Sequence, residues 1–278
     1  RKVGKQGSNC ITGHKNHDDM GSVGDYIFKS VCPLCGAVRQ DSQIGLEESP
    51  EEYVESLVSV FREVRNILTD DGTLWVNLGD SYYNYRPGKG QSYPKQSVSK
   101  TKQDLPDECN KRGNKLDGLK EKDLIGIPWL FAFAMRKDGW YLRQDIIWHK
   151  PNPMPESVRD RCTKSHEYIF LLSKNQNYYF DVDSIKELTV NKKSFKRKRS
   201  VWEVNKKAYK DAHFAVYPPE LIKPCIKAGS MKGDIILDPF IGSGTTAMVA
   251  KELGRDYIGC ELHEDYGKLI SKRIRGDG

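Results

Sequence analysis

Asp234-Ile-Ile-Leu237-Asp238-Pro239-Phe240-Ile241-Gly242-Ser243-Gly244-Thr245-Thr246 decides the fold. The short apolar run Asp234 to Leu237 reads as a buried strand, Asp238 to Gly244 as a glycine-containing loop, and Thr245 to Leu253 as a helix. Arg255-Asp256 then turns the chain into a second strand, Tyr257 to Cys260, closed by Glu261. Strand, loop, helix and strand make a βαβ unit. The unit predicts an α/β fold: a largely parallel, Rossmann-like sheet with helices on both faces. Gly242 and Gly244 let the backbone turn tightly or approach a ligand where strand meets helix, the edge at which open α/β sheets bind. Glu261 ends the next strand, in the place of the acid that takes ribose hydroxyls in dinucleotide-binding folds.

Outward from this unit, a helix from about Pro219 to Ala228 precedes it and one from about Glu264 to Ile274 follows. Ser49-Pro50-Glu51-Glu52 supplies an N-cap, a first-turn proline and first-turn acid. Tyr53, Leu57, Val60, Phe61, Val64 and Leu68 continue it at helical spacing. Thr73 to Leu78, Tyr141 to Trp148 and Tyr168 to Leu172 read as strands, and Trp129 to Arg136 as a helix. Residues 82–122 form a long polar loop and residues 1–42 an irregular insert, leaving 43–278 as one α/β domain.

The 278 residues are 37% hydrophobic and 30% charged, which is polar for an enzyme but short of disorder. The longest apolar runs are too short to cross a bilayer and Arg1 to Cys10 does not resemble a signal peptide, so no membrane partner and a cytoplasmic location are expected. The net charge of +7 is modest, but Lys186 to Lys210 holds ten basic residues and two acidic ones. Such a run is as often a solvated loop as a polyanion contact.

Asp238 to Thr246 resembles the cofactor motif of the DNA methyltransferases that modify an exocyclic amino group, adenine N6 or cytosine N4. Ile258-Gly-Cys-Glu261-Leu is similar to the acidic motif that follows it. His213-Phe-Ala-Val-Tyr-Pro218-Pro-Glu-Leu221 is similar to the segment that closes the methionine end of that cofactor site. The resemblance implies S-adenosylmethionine as cofactor, with Asp238, Phe240, Gly242, Gly244, Thr245, His213 and Pro218 lining it and Glu261 holding its ribose. Upstream, Gln43-Ile-Gly-Leu-Glu47, Gly72 to Asp80, Ile147 to Met154 and Ser165 to Phe170 match the class whose cofactor motif comes last. That class carries its catalytic motif first, an Asp or Ser followed by Pro-Pro and an aromatic residue. The acid or hydroxyl and the prolyl carbonyls accept the amine's protons while the aromatic ring stacks on the flipped base.

No such motif occurs here. The one Pro-Pro, Pro218-Pro219, belongs to the cofactor segment, and the catalytic strand is expected upstream of Arg1. Trp148 and Asn152 lie in a segment that the family places beside the target base, although core packing suits Trp148 better. The region 184–212, with Lys196, Arg197, Lys198 and Arg199, falls where the family reads its target, so double-stranded DNA is the expected partner. A homodimer is a candidate assembly. The rival readings are a non-catalytic DNA-binding relative and a methyltransferase of RNA or protein.

Four of the seven cysteines are scattered and read as free thiols; the others are Cys10, Cys32 and Cys35. Cys32-Pro-Leu-Cys35-Gly36 is a zinc-knuckle pattern, with two further ligands available from Cys10, His14 and His17. Unligated thiols in a turn are the alternative.

Overall fold

The computed structural model describes residues 43–83, 116, 118–191, 193–206, 216–262 and 264–275. The chain divides into two units, one of Arg1–Tyr53 with Tyr82–Leu124 and one of Val54–Ser81 with Ile125–Gly278. In the first, Ser49 caps helix α1 (Pro50–Ile67): its Oγ accepts the Glu52 N–H at 3.2 Å, and the Glu52 carboxylate reaches back to the Glu48 N–H at 3.1 Å. Tyr83 joins the ends of the polar loop, donating its N–H to Asp123 O and accepting the Lys122 N–H, both at 2.8 Å.

The second unit holds the rest of the chemistry. Val54, Leu57, Val58, Phe61 and Val64 are the buried stripe of α1. The chain continues through β1 (Thr73–Leu78), α2 (Ile127–Lys137), β2 (Tyr141–His149), β3 (His166–Ser173), β4 (Glu187–Leu188), β5 (Phe195–Lys196) and β6 (Val201–Glu203). It ends with α3 (Pro219–Gly229), β7 (Ile235–Asp238), α4 (Thr245–Glu252), β8 (Asp256–Gly259) and α5 (Glu264–Arg275). Asp80 fixes the start of α2: its Oδ1 accepts the Gly126 and Ile127 N–H groups at 3.0 and 3.2 Å.

The main sheet has the order β1-β3-β2-β6, with β3 antiparallel to both neighbours and β2 parallel to β6. A largely parallel sheet is therefore not what forms; the sheet is mixed. Residues 150–165 join β2 to β3 without a crossover helix, so the two strands run opposite ways. Strand β3 sits between β1 and β2, which is why Ile169-Phe-Leu-Leu172 is apolar on both faces. Strands β4, β5 and β6 fall in the basic region, where no strand is expected from the sequence.

Strands β7 and β8 form a separate parallel pair, Ile235 opposite Asp256 through Asp238 opposite Gly259. Among the described residues β1 pairs only with β3 and β7 only with β8, so each keeps one open backbone edge. Helix α3 packs against β1 at one end, where a Cβ on Gly229 would lie 2.5 Å from Thr73 Oγ1. It also packs on α4. Its Leu221 and Cys225 join Ile146, Trp148, Ile169 and Trp202 in the core. Cys162, Cys225 and Cys260 are free thiols, and burial pushes that of Cys225 up to about 12. No described helix is long and apolar enough to cross a membrane.

Candidate cofactor site and DNA-facing elements

The loop after β7 is built around one carboxylate. Asp238 Oδ1 accepts the Phe240 N–H at 2.9 Å, while Oδ2 accepts the Tyr217 hydroxyl at 3.1 Å and the Thr246 hydroxyl. Tyr217 and Thr246 also touch each other at 2.6 Å. Burial, reinforced by the Asp238 charge, raises the pKa of Tyr217 far above the ordinary phenol value. It therefore stays a neutral donor at any physiological pH. Asp238 thus shapes the turn that carries the glycines.

The loop is further held from two sides. The Ile241 N–H reaches Cys260 O at 3.1 Å and the Cys260 N–H reaches Asp238 O at 3.0 Å, tying it to the end of β8. From α5, Arg273 Nη1 donates to Ser243 Oγ at 2.8 Å. Gly242 and Gly244 both have positive φ, 50° and 82°, as expected for residues that bend this turn. At Gly244 a side chain would also meet Ile270 at 3.0 Å. Gly259 matters for another reason: a Cβ there would lie 2.2 Å from Ile241 Cδ1. Gly259→Ala is expected to push Ile241 and the loop away from β8 and lower stability by about 1–3 kcal/mol. Urea unfolding checks it, with Gly233→Ala as a comparison where positive φ strains the backbone but no atom lies within 4 Å.

The groups around this turn suit a polar cofactor. Helix α4 starts at Gly244 with no side-chain cap, so its first-turn N–H groups keep their donor capacity. Thr245 Oγ1 is buried and lacks a hydrogen-bond partner among the described residues. Phe240 is exposed, steadied edge-on by Phe61 of α1 at 6.1 Å between ring centres. Glu261 is exposed at the carboxyl end of β8, beside the Asp238 end of β7 in the parallel register. Pro218 is buried at the N-cap of α3, next to Tyr217. The structure thus gathers Asp238, Phe240, Gly242, Gly244, Thr245, Glu261 and Pro218 at one end of the β7–β8 pair. His213 lies outside the described residues. Tyr217 and Thr246 were not singled out from sequence, although each lies inside a quoted motif.

The residues expected from the sequence to face DNA divide differently. Trp148 is buried, its Nε1 donating to Val204 O at 2.8 Å and its ring 4.2 Å from Lys150 Nζ. The structure therefore places it in the core. Lys150 is itself buried and paired with Glu167, and burial lowers its pKa. The Asn152 side-chain amide makes two hydrogen bonds with the backbone of Lys206, donating to its oxygen at 3.2 Å and accepting its N–H at 2.9 Å. That side chain pins the loop after β2 to the end of the basic region. Within the basic region, Lys196 and Arg199 lie against Glu187 at 3.5 and 3.3 Å, and Lys198 sits over the Trp202 ring at 5.0 Å. Arg197 and Lys193 are exposed.

Cys10, His14, His17, Cys32 and Cys35 lie outside the described residues, and no group of three or more His, Cys, Asp or Glu placed to hold a metal occurs among those described.

Comparison with known proteins converges on one group. The family model described as "DNA methylase" matches residues 16–272. The Type II methyltransferase M.SmaI of Serratia marcescens is 49% identical over 238 residues, covering 84% of this chain and 77% of that protein. The Type II methyltransferase M.Cfr9I of Citrobacter freundii is 46% identical over 237 residues, covering 85% and 76%. Among solved structures, the PvuII cytosine-N4-specific DNA methyltransferase superposes with a TM-score of 0.58 at 17% identity, over 86% of this chain and 83% of that one. A putative DNA modification methylase from Thermus thermophilus, solved with S-adenosyl-L-methionine, gives 0.55 at 23% identity over the same shares. These likenesses establish the Rossmann-like methyltransferase fold.

Proposed function

The chain belongs to the DNA methylase family whose members modify adenine N6 or cytosine N4, and on that premise we propose which of its residues hold the methyl donor and which face DNA. The observation that carries the reading is the Asp238 carboxylate, which bends a two-glycine loop between parallel strands and leaves Thr245, Phe240 and Glu261 around an uncapped helix start. Those groups fit S-adenosylmethionine. Glu261 takes the ribose hydroxyls, Phe240 supplies an apolar surface, and the α4 start and Thr245 take the polar end. When bound, this cofactor offers a methyl group on a sulfonium, so that a carbon–nitrogen bond to the target amine forms as the carbon–sulfur bond breaks. Asp238 and Tyr217 act as positioning residues, because their polar atoms are spent on the loop itself.

The expected test is calorimetric. Glu261→Ala should weaken S-adenosylmethionine binding by about 1.5–3 kcal/mol, the worth of hydrogen bonds to a charged group. Glu264→Ala, three residues on, should leave it unchanged. Equal losses in the two variants would remove the ribose assignment.

The target amine must also lose a proton, and its base must be held flat. The 278 residues contain no Asp- or Ser-Pro-Pro-aromatic motif for this. We assign those tasks to a strand upstream of Arg1 that pairs with the open edges of β1 and β7. Site-specific modification of duplex DNA by the completed protein is the resulting function. A non-catalytic DNA-binding relative is the second reading, and the missing motif is what favours it.

Cys32 and Cys35, with two of Cys10, His14 and His17, suit a structural zinc ion by spacing. Protein purified without added metal should then carry close to one equivalent of zinc by elemental analysis. Cys32→Ser should remove it without abolishing cofactor binding. Metal-free protein of full cofactor affinity would dismiss the site.

A further inference from the structure

The basic region contains a two-stranded ribbon with two unlike faces. Strands β4 and β5 pair antiparallel with Leu188 opposite Phe195 and Glu187 opposite Lys196. The Thr189 N–H closes the turn on Ser194 O at 2.9 Å, and Thr189 Oγ1 also contacts Asn191 Oδ1 at 2.5 Å. Alternation puts Leu188 and Phe195 on one face and the Glu187–Lys196–Arg199 ion cluster on the other. The apolar face is bare: Leu188 is 51% exposed, Phe195 67%, and Val190 in the turn 94%. A ribbon this short cannot bury such residues itself, and exposed apolar groups clustered on one element mark a contact surface.

Charge identifies what that surface meets. Between residues 187 and 199 there are six basic residues and one acidic residue, and that acid is already committed to Lys196 and Arg199. Two copies of such a ribbon repel each other, whereas a polyanion is attracted. A two-stranded ribbon also matches the width of the DNA major groove.

We propose that the β4–β5 ribbon enters a groove of the target duplex with Leu188, Val190 and Phe195 against base edges and sugars, while Lys193 and Arg197 hold the flanking phosphates. The ribbon then contributes to sequence choice as well as to affinity. This rests on the DNA-modifying function proposed above and adds the residues that read the target.

Selection from a random-sequence duplex pool, followed by sequencing and by salt titration of the bound duplexes, separates the two roles. Val190→Ser with Phe195→Ser should reduce enrichment of the preferred sequence by about tenfold at one or more base pairs while keeping the salt slope. Lys193→Ala with Arg197→Ala should lower the slope by about 2 and leave the preference in place. Unchanged S-adenosylmethionine affinity in both variants shows that they fold. Undiminished enrichment by the apolar variant overturns the inference while leaving the enzyme assignment intact. So does a change in sedimentation with no change in DNA selection, because the patch then serves a second copy. Failure of the unsubstituted protein to bind any duplex removes both the inference and the function beneath it.

Discussion

Asp238→Ala is expected to raise the S-adenosylmethionine dissociation constant by about 100-fold, or roughly 2.8 kcal/mol. The carboxylate is the common acceptor of the Phe240 N–H, the Tyr217 hydroxyl and the Thr246 hydroxyl. Hydrogen bonds to a charged group contribute about 1.5–3 kcal/mol each, so losing three at once loosens the glycine turn and the start of α4 together. Alanine also leaves Tyr217 a single partner, Thr246, in a half-buried position. Asp234→Ala, at the other end of the same strand, removes only an exposed turn contact to the Met231 N–H and should leave affinity unchanged. Calorimetry on the two variants measures the difference. Tyr217→Phe should fall between them, since Thr246 and Phe240 keep their bonds to Asp238.

Methyl transfer should separate two forms of the protein completely. The 278 residues alone are expected to bind the cofactor and, weakly, duplex DNA, yet to transfer no label above background. Protein extended upstream through an Asp- or Ser-Pro-Pro-aromatic strand should turn over repeatedly. The reason is chemical: an amine conjugated to a base ring is a weak nucleophile until acceptors draw off its protons. The one Pro-Pro pair here sits at the N-cap of α3 with Tyr217 spent on Asp238. The reason is also structural, because among the described residues β1 and β7 each present an open edge that another strand can pair with. Transfer by the 278 residues alone would place the proton-accepting groups elsewhere in the chain.

Much of this was legible in the sequence, and the exceptions share a cause. The cofactor loop could be read because two glycines and a strand-terminal acid each leave a local mark. The long elements could be read because α1 and β3 repeat their apolar residues over many positions. The role of Asp238 in shaping the loop could not, since Tyr217 lies 21 residues away in sequence and only the fold brings the two together. Gly259 gave no signal either, because its need for smallness comes from Ile241 across the turn. Strands of two and three residues, such as β4, β5 and β6, are too short to show a period, so the basic region read as a charged loop. Its Trp202 proves to be a core anchor. Antiparallel pairing of β1, β3 and β2 was hidden for a similar reason. A fully buried apolar run looks the same whichever way its neighbours point.

Mass spectrometry of nucleosides digested from DNA, after incubation with S-adenosylmethionine and the extended protein, should show a single new species, N6-methyladenine or N4-methylcytosine, whose yield at limiting cofactor falls with Asp238→Ala. Methylation at a ring carbon, or label found only in RNA or protein, would contradict the proposed function.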